Sequence, residues 1–346
     1  MQDAAAPAPT ERGWGKLLLA LAAFLFLPLT PPLRALLPVE ETLLLLLPAL
    51  AACCLVGWWA GGRFLLTFVW VGLAAWVVAQ PAVPGSFYNL VRGWSLLLAG
   101  GFGLVCLLGP QRPFFSRALT TLSLALVLVL VMSGRGPLAS GSTRRAVELE
   151  FARRNAETVS IVRSFSADHP DMAKAMAQMG TSPNAVDTEL KALADTGTTL
   201  VPSLLLLESL VALALAWATY HRLSRTRLGV PLGPLKDFRF NDQLVWGLIA
   251  GLAIVFVPAF DFLGGTGQNL LVFFGALYAI RGFGVLSWFL KPGALAATMF
   301  VGFAMLFWPV LNMVAVLGFM LLALAAFGLG LGDTWADWRR RARPTT

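Results

Sequence analysis

The sequence predicts an all-α fold: a polytopic transmembrane helical bundle of about ten spans with a small helical extracytoplasmic insert. Three observations predict it. Of 346 residues, 58% are apolar and only 13% charged, where a soluble chain carries about 25% charge. The mean hydropathy is +0.74, and the apolar runs are long enough at about 1.5 Å per residue to cross the hydrocarbon of a bilayer. The one sizeable hydrophilic stretch, 133–200, interrupts these runs near the middle of the chain.

Taken in order, residues 1–15 read as a disordered Ala- and Pro-rich cytoplasmic tail. A five-span membrane half follows over 16–132, with spans at 16–37, 42–61, 64–80, 90–108 and 116–132. The first contains Pro28, Pro31 and Pro32, which remove backbone donors in mid-run. Arg12 and Lys16 before that run also fit a signal peptide, but the Pro cluster stands where a small-residue cleavage site would be. After the insert at 133–200, a second five-span half covers 201–332, with spans at 201–220, 243–263, 269–290, 294–309 and 311–331, and a basic cytoplasmic tail occupies 333–346.

Orientation follows from the cations near span ends. Placing both termini in the cytoplasm puts Arg63, Arg112, Arg117, Arg222, Lys236, Arg239, Lys291 and Arg339 inside and leaves only Arg34 and Arg92 in short outer loops. The insert then lies outside, where a segment of that length translocates largely regardless of charge. Arg far outnumbers Lys in a chain rich in Ala, Leu and Gly, a composition typical of a GC-rich bacterial genome, so the expected location is the bacterial inner membrane.

The insert has helical periodicity. Val147, Phe151, Thr158, Val162 and Phe165 fall on one face of a helix expected over 143–165. Met172, Met176 and Met179 form a shorter stripe, read as packing. Ser182 as N-cap with Pro183 at the first position announces a third helix, carrying Val186, Leu190 and Leu193.

Composition also narrows the chemistry. With His169 and His221 as the only histidines and no phosphate-loop motif, neither metal nor cofactor is expected. Cys53, Cys54 and Cys106 sit in apolar runs and read as small apolar residues. The net charge of +8 is spread over loops and tail, which points to anionic lipid headgroups and away from nucleic acid. No catalytic constellation is present, so an enzyme is not expected.

Charge inside a span is costly and marks a candidate site. Arg281, deep in the eighth span, is the clearest case, with snorkelling or a carbonyl partner near Gly282 and Gly284 as the alternative. Asn269, Asp261 and Tyr278 join it as candidate solute or polar-network residues. Gly57 with Gly61 and Gly247 with Gly251 form G-x-x-x-G pairs, read as helix-packing positions. Gly328, Gly330 and Gly332 read as helix contact or termination.

The stretches Gly267-Gln268-Asn269-Leu270-Leu271 and Tyr278-Ala279-Ile280-Arg281-Gly282, with Leu331-Gly332-Asp333 and Asp337-Trp338-Arg339, resemble the YybS-like family of bacterial multipass proteins of unknown function. The resemblance covers mainly 200–340. It implies an integral protein of the cytoplasmic membrane, distantly similar to the substrate-binding membrane subunits of energy-coupling-factor transporters. The family's pattern often has Gln before Gly282, so Arg281 departs from it.

These readings give a transport-related protein that binds or passes a small solute within the bundle. The alternative is a non-enzymatic scaffold or assembly factor that meets other membrane proteins through the insert and the basic cytoplasmic loops.

Overall fold

The computed structural model describes residues 13–26, 28, 39–82, 86–133, 140–171, 174, 183–224, 228–290, 297–298, 301–302, 305 and 309–338. Among these the chain is helical, without strands. The helices are α1 (Trp14–Phe26), α2 (Val39–Trp59), α3 (Phe64–Val78), α4 (Phe87–Leu108), α5 (Phe114–Ser133), α6 (Ser140–Asp168), α7 (Pro183–Leu223), α8 (Val245–Phe256), α9 (Gly264–Phe289) and α10 (Pro309–Ala336). Six helical stretches among the described residues are long and apolar enough to cross a membrane, and Trp14–Phe26, Phe64–Val78 and Asp242–Phe256 are shorter apolar helices. The expected span at 294–309, the Met172, Met176 and Met179 stripe, the cap at Ser182, the Pro31–Pro32 break and both terminal tails fall largely or wholly outside the described residues.

Two elements differ from the expectation. The insert's last helix and the sixth span are one helix, α7, 41 residues long and passing through Pro202. The seventh span is shorter than expected. Pro258 cannot extend the α-helical ladder, so α8 stops at Phe256 and a 3-10 segment, Pro258–Leu263, leads directly into α9. Twelve residues of α8 rise only about 18 Å, less than the roughly 30 Å hydrocarbon thickness.

The chain divides into two compact units. The first comprises Met1–Thr198 with Glu208–Leu232, and the second Thr199–Leu207 with Gly233–Thr346. In the first, α2 packs against α1, α3 and α4, while α4 also meets α5 and α6. Its core holds Leu44, Leu45, Leu98, Phe102, Leu213 and Trp217. Large apolar side chains on α3 and α5 point outward, among them Leu65, Phe68, Trp76 and Leu130. Such a surface suits lipid and would be costly in water.

Glycine contacts set the helix spacing. At Gly57 a Cβ would lie 2.5 Å from the Tyr220 ring. Gly61 does not make a helix contact: it has φ +90° and open space around it. It ends α2 in a Schellman turn, with Gly62 N–H donating to Gly57 O at 2.9 Å and Gly61 N–H to Trp58 O at 2.9 Å. In the second unit α9 lies between α8 and α10. Gly247 and Gly251 admit Phe274 and the Leu270–Leu271 pair of α9, and a Cβ on Gly282 would fall 1.7 Å from the Ala326 carbonyl oxygen. Gly330 makes the reciprocal approach: a Cβ there would fall 1.8 Å from the Tyr278 carbonyl oxygen. The backbones of α9 and α10 therefore touch at a Gly–Gly crossing.

Candidate functional site

In the second unit Asn269 completes an interrupted helical rung. Ser203 N–H, whose helical partner would be Thr199 O, donates to Asn269 Oδ1 at 2.8 Å, and Asn269 Nδ2 donates to Thr199 O and Gly265 O, each at 2.7 Å. The break follows from Pro202, which distorts the ladder of α7. Every polar atom of the Asn269 amide is thereby engaged in structure. Asp261 lies exposed on the 3-10 segment, away from any such network.

Arg281 is buried, 3% exposed, and does not snorkel. Its Nε donates to Asp333 Oδ2 at 3.0 Å, Nη2 to Asp333 O at 3.2 Å and Nη1 to Asp242 Oδ1 at 2.6 Å. The guanidinium also lies 5.3 Å from the centroid of Phe240, which meets Tyr278 edge-on at 5.1 Å. The cluster ties α9 to the C-terminal end of α10 and to the turn Asp242–Leu244. Of the four polar residues singled out in the sequence, Arg281 and Tyr278 meet here through Phe240, whereas Asn269 and Asp261 lie elsewhere.

The first unit holds a different charge centre. Glu41 on α2, Arg154 on α6 and Glu208 on α7 are all buried. Arg154 Nε donates to Glu150 Oε1 at 2.9 Å, and Arg154 Nη2 approaches Glu41 Oε2 at 3.6 Å, too long for a hydrogen bond. Phe87 and Phe151 flank the Arg154 guanidinium at 5.2 and 5.7 Å. A cavity of about 160 Å³ opens beside it, lined by Glu40, Glu41, Tyr88, Glu150, Arg153 and Arg154 among others. Neither carboxylate oxygen of Glu208 has a hydrogen-bond partner among the described residues. Among the described residues Glu41 Oε2 is likewise without one.

Nearby secondary contacts hold this arrangement. Trp94 Nε1 donates to Ser209 Oγ at 2.9 Å, pinning α4 to α7 one residue from Glu208. Asn155 Nδ2 donates to Leu190 O at 2.9 Å, and Val159, Leu190 and Val186 pack together, so the two insert helices share a small core. Burial would push the Glu150 carboxyl up, but hydrogen bonds from Arg153 and Arg154 outweigh it and hold Glu150 below its ordinary value.

A third buried cation, Arg117, stacks on Trp217 at 4.2 Å and donates to Cys106 Sγ at 3.6 Å. Gly229, at φ +73°, closes over it: a Cβ there would fall 2.8 Å from Nη2. His221 holds the same turn, its Nδ1 paired with Trp217 O at 3.1 Å and its Nε2 with Gly229 O at 3.4 Å. Among the described residues no three His, Cys, Asp or Glu side chains converge as metal ligands would.

Residues 156–320 match a family model described as predicted membrane protein (DUF2232). With six helices among the described residues long and apolar enough to cross a bilayer, the chain is a multipass integral membrane protein. No curated protein and no solved structure matches it. The matched stretch contains Glu208, Asn269 and Arg281. Glu41, Arg154 and Asp333 lie outside it.

Glu208 and Arg154 were missed by the sequence analysis although both left a signal. Glu208 is the lone charge in Ser203-Leu204-Leu205-Leu206-Leu207-Glu208-Ser209-Leu210, inside a span. Arg154 falls between Phe151 and Thr158 on the apolar stripe of α6, at helical spacing from both.

Proposed function

We propose that the protein is a transport-related membrane protein of the bacterial inner membrane, binding or passing a small solute at the Glu41–Arg154–Glu208 centre. The observation that carries this reading is Glu208, a carboxylate inside a membrane-crossing stretch, buried, with both oxygens lacking a partner among the described residues. A charge so placed is expensive and is the default mark of a solute or ion path. The Arg281 cluster lacks that property toward a ligand: its guanidinium is spent on Asp333, Asp242 and Phe240. The cavity beside Arg154, lined by Glu41 and Arg154 but not by Glu208, has room for a small solute only, since about 160 Å³ falls below the roughly 300 Å³ of pockets that take drug-sized ligands. The reading is non-enzymatic, with both termini in the cytoplasm and the insert outside, as the cation bias requires.

The test is to purify the full chain in mild detergent, extract small molecules under denaturing conditions and identify them by mass spectrometry. A solute present with the wild type and absent with Glu208→Gln supports the reading. Equal extracts from both, with both folded, overturn it.

A further inference from the structure

Of the three buried arginines among the described residues, two meet an acid through Nε: Arg281 on Asp333 at 3.0 Å and Arg154 on Glu150 at 2.9 Å. Arg117, at the start of α5, is 0% exposed and meets none among the described residues. The Trp217 ring covers the flat of its guanidinium at 4.2 Å, and Cys106 Sγ takes Nη1 at 3.6 Å. Nε and Nη2 have no hydrogen-bond partner among the described residues. Those two atoms form one edge of the guanidinium, the fork that grips a carboxylate or phosphate through two parallel N–H donors. Arg281 turns the same edge to Asp333, Nε to the carboxylate and Nη2 to the main-chain oxygen. Sulfur is a weak acceptor and an aromatic face replaces only part of the lost hydration, so the edge of Arg117 is short of negative charge.

A short strap, Leu228 to Val230, covers that edge. A Cβ on Gly229 would fall 2.8 Å from Nη2, so glycine keeps a side chain out of the approach to the fork. Three contacts fasten the strap to α7: Leu228 N–H donates to the Tyr220 hydroxyl at 3.1 Å, Trp217 Nε1 donates to Val230 O at 3.1 Å, and His221 Nε2 pairs with Gly229 O at 3.4 Å. Leu228 and Gly229 are half-buried and Val230 is exposed, so the strap is a surface layer over the guanidinium. The neighbouring sequence is cationic. Segments 109–117 and 217–236 carry Arg112, Arg222, Arg225, Arg227 and Lys236 besides Arg117, and no Asp or Glu. By the cation bias this end of the unit faces the cytoplasm, where anionic headgroups gather.

We propose that Arg117 is the seat of a phosphate-binding site in the first unit, entered when the strap Leu228–Val230 lifts. The Nε–Nη2 edge takes two phosphate oxygens side-on, and the start of α5 and the acid-free segments around it add attraction for an anion. An anionic lipid headgroup and a free phosphate ion present the same oxygens, and the assay below separates them. The site is independent of Glu41 and Glu208.

The experiment follows thermal unfolding of the full chain, purified in an uncharged maltoside detergent. One arm adds phosphatidylglycerol, with phosphatidylcholine as its control; the other adds inorganic phosphate, with chloride at equal ionic strength. A ligand held only by the native state raises the melting temperature. Phosphatidylglycerol or phosphate should stabilise the wild type beyond its control, and the arm that does so names the source. Arg163→Gln, an exposed cation on α6, should respond as the wild type does. Arg117→Gln should lose the response. Arg117→Lys keeps the charge without the fork and should need roughly tenfold more ligand for half effect. Tyr220→Phe removes one fastening of the strap and should need several-fold less. A wild type indifferent to both arms, or a response that survives in Arg117→Gln, overturns the proposal. Should Arg117→Gln not fold, Arg117→Lys decides it, and an unchanged half-effect concentration there overturns the proposal.

Discussion

Arg281 and Asp333 form a two-point buried contact, Nε to Oδ2 at 3.0 Å and Nη2 to the main-chain oxygen at 3.2 Å, with Asp333 fully enclosed. The geometry closes the C-terminal end of α10 onto α9 directly below the Gly282–Gly330 crossing. Breaking a buried pair strands the remaining charge, at a cost of about 3–5 kcal/mol. Arg281→Gln should therefore lower the stability of the second unit strongly, measured by detergent-induced unfolding followed by tryptophan fluorescence. Asp242 is 58% exposed, so Asp242→Asn should cost about 1 kcal/mol or less. Equal effects of the two substitutions would contradict a structural role centred on Asp333.

The Gly282–Gly330 crossing makes a sharper prediction. A methyl group at either position meets a backbone carbonyl that cannot move without shifting a helix. Gly282→Ala and Gly330→Ala should sharply reduce the yield of folded protein. Gly328, two residues away, has open space around it, and Gly328→Ala should be neutral or gain up to about 1 kcal/mol of helix propensity. Size-exclusion profiles of the three variants decide it.

The insert should respond to acid through Glu150. Its carboxyl is held below the ordinary value of 4.5 by Arg153 and Arg154 after their hydrogen bonds outweigh burial. The sign follows: the folded form prefers the ionised group, so its contribution is complete above that value and is lost as pH falls through the folded-state pKa. Protection of α6 amides from hydrogen exchange, relative to the intrinsic rate at each pH, should fall on such acidification in the wild type. In Glu150→Gln the protection should be lower above that value, equal to the wild type's in acid, and without this pH step.

Sidedness is tested with single cysteines in a background lacking Cys53, Cys54 and Cys106. Ser224 is buried and a poor reporter, whereas Ser164 and Asp237 are exposed. Ser164→Cys should react with a membrane-impermeant thiol reagent in intact cells and Asp237→Cys only after lysis. The reverse pattern would invert the orientation drawn from the cation bias.

Much of the architecture was legible because membrane crossing imposes length and apolarity, both visible in sequence. The starts and ends of α3, α4 and α5 lie within three residues of their expected positions. What escaped were the joins, where Pro202 sits inside a helix that Asn269 repairs from a distant part of the chain and Pro258 shortens α8. A long-range side chain that replaces a helical rung has no local signature. Arg281 was found by its cost, but its partners Asp333 and Asp242 lie 52 and 39 residues away, and spacing alone does not reveal them. Gly61 shows the limit of a spacing rule, since its left-handed turn and a helix contact look alike in sequence. Glu208, by contrast, is legible as a lone charge in an apolar run.

Arg281 and Asp333 are engaged with each other, whereas Glu208, the proposed solute residue, has both carboxylate oxygens unpartnered among the described residues. A membrane-permeant hydrophobic carbodiimide separates them, because it adds to carboxylic acid groups in apolar surroundings and spares a carboxylate held by a guanidinium. Peptide mapping of the treated full chain by mass spectrometry should find the adduct on Glu208 and not on Asp333. Adduct on Asp333 with Glu208 untouched would contradict the account.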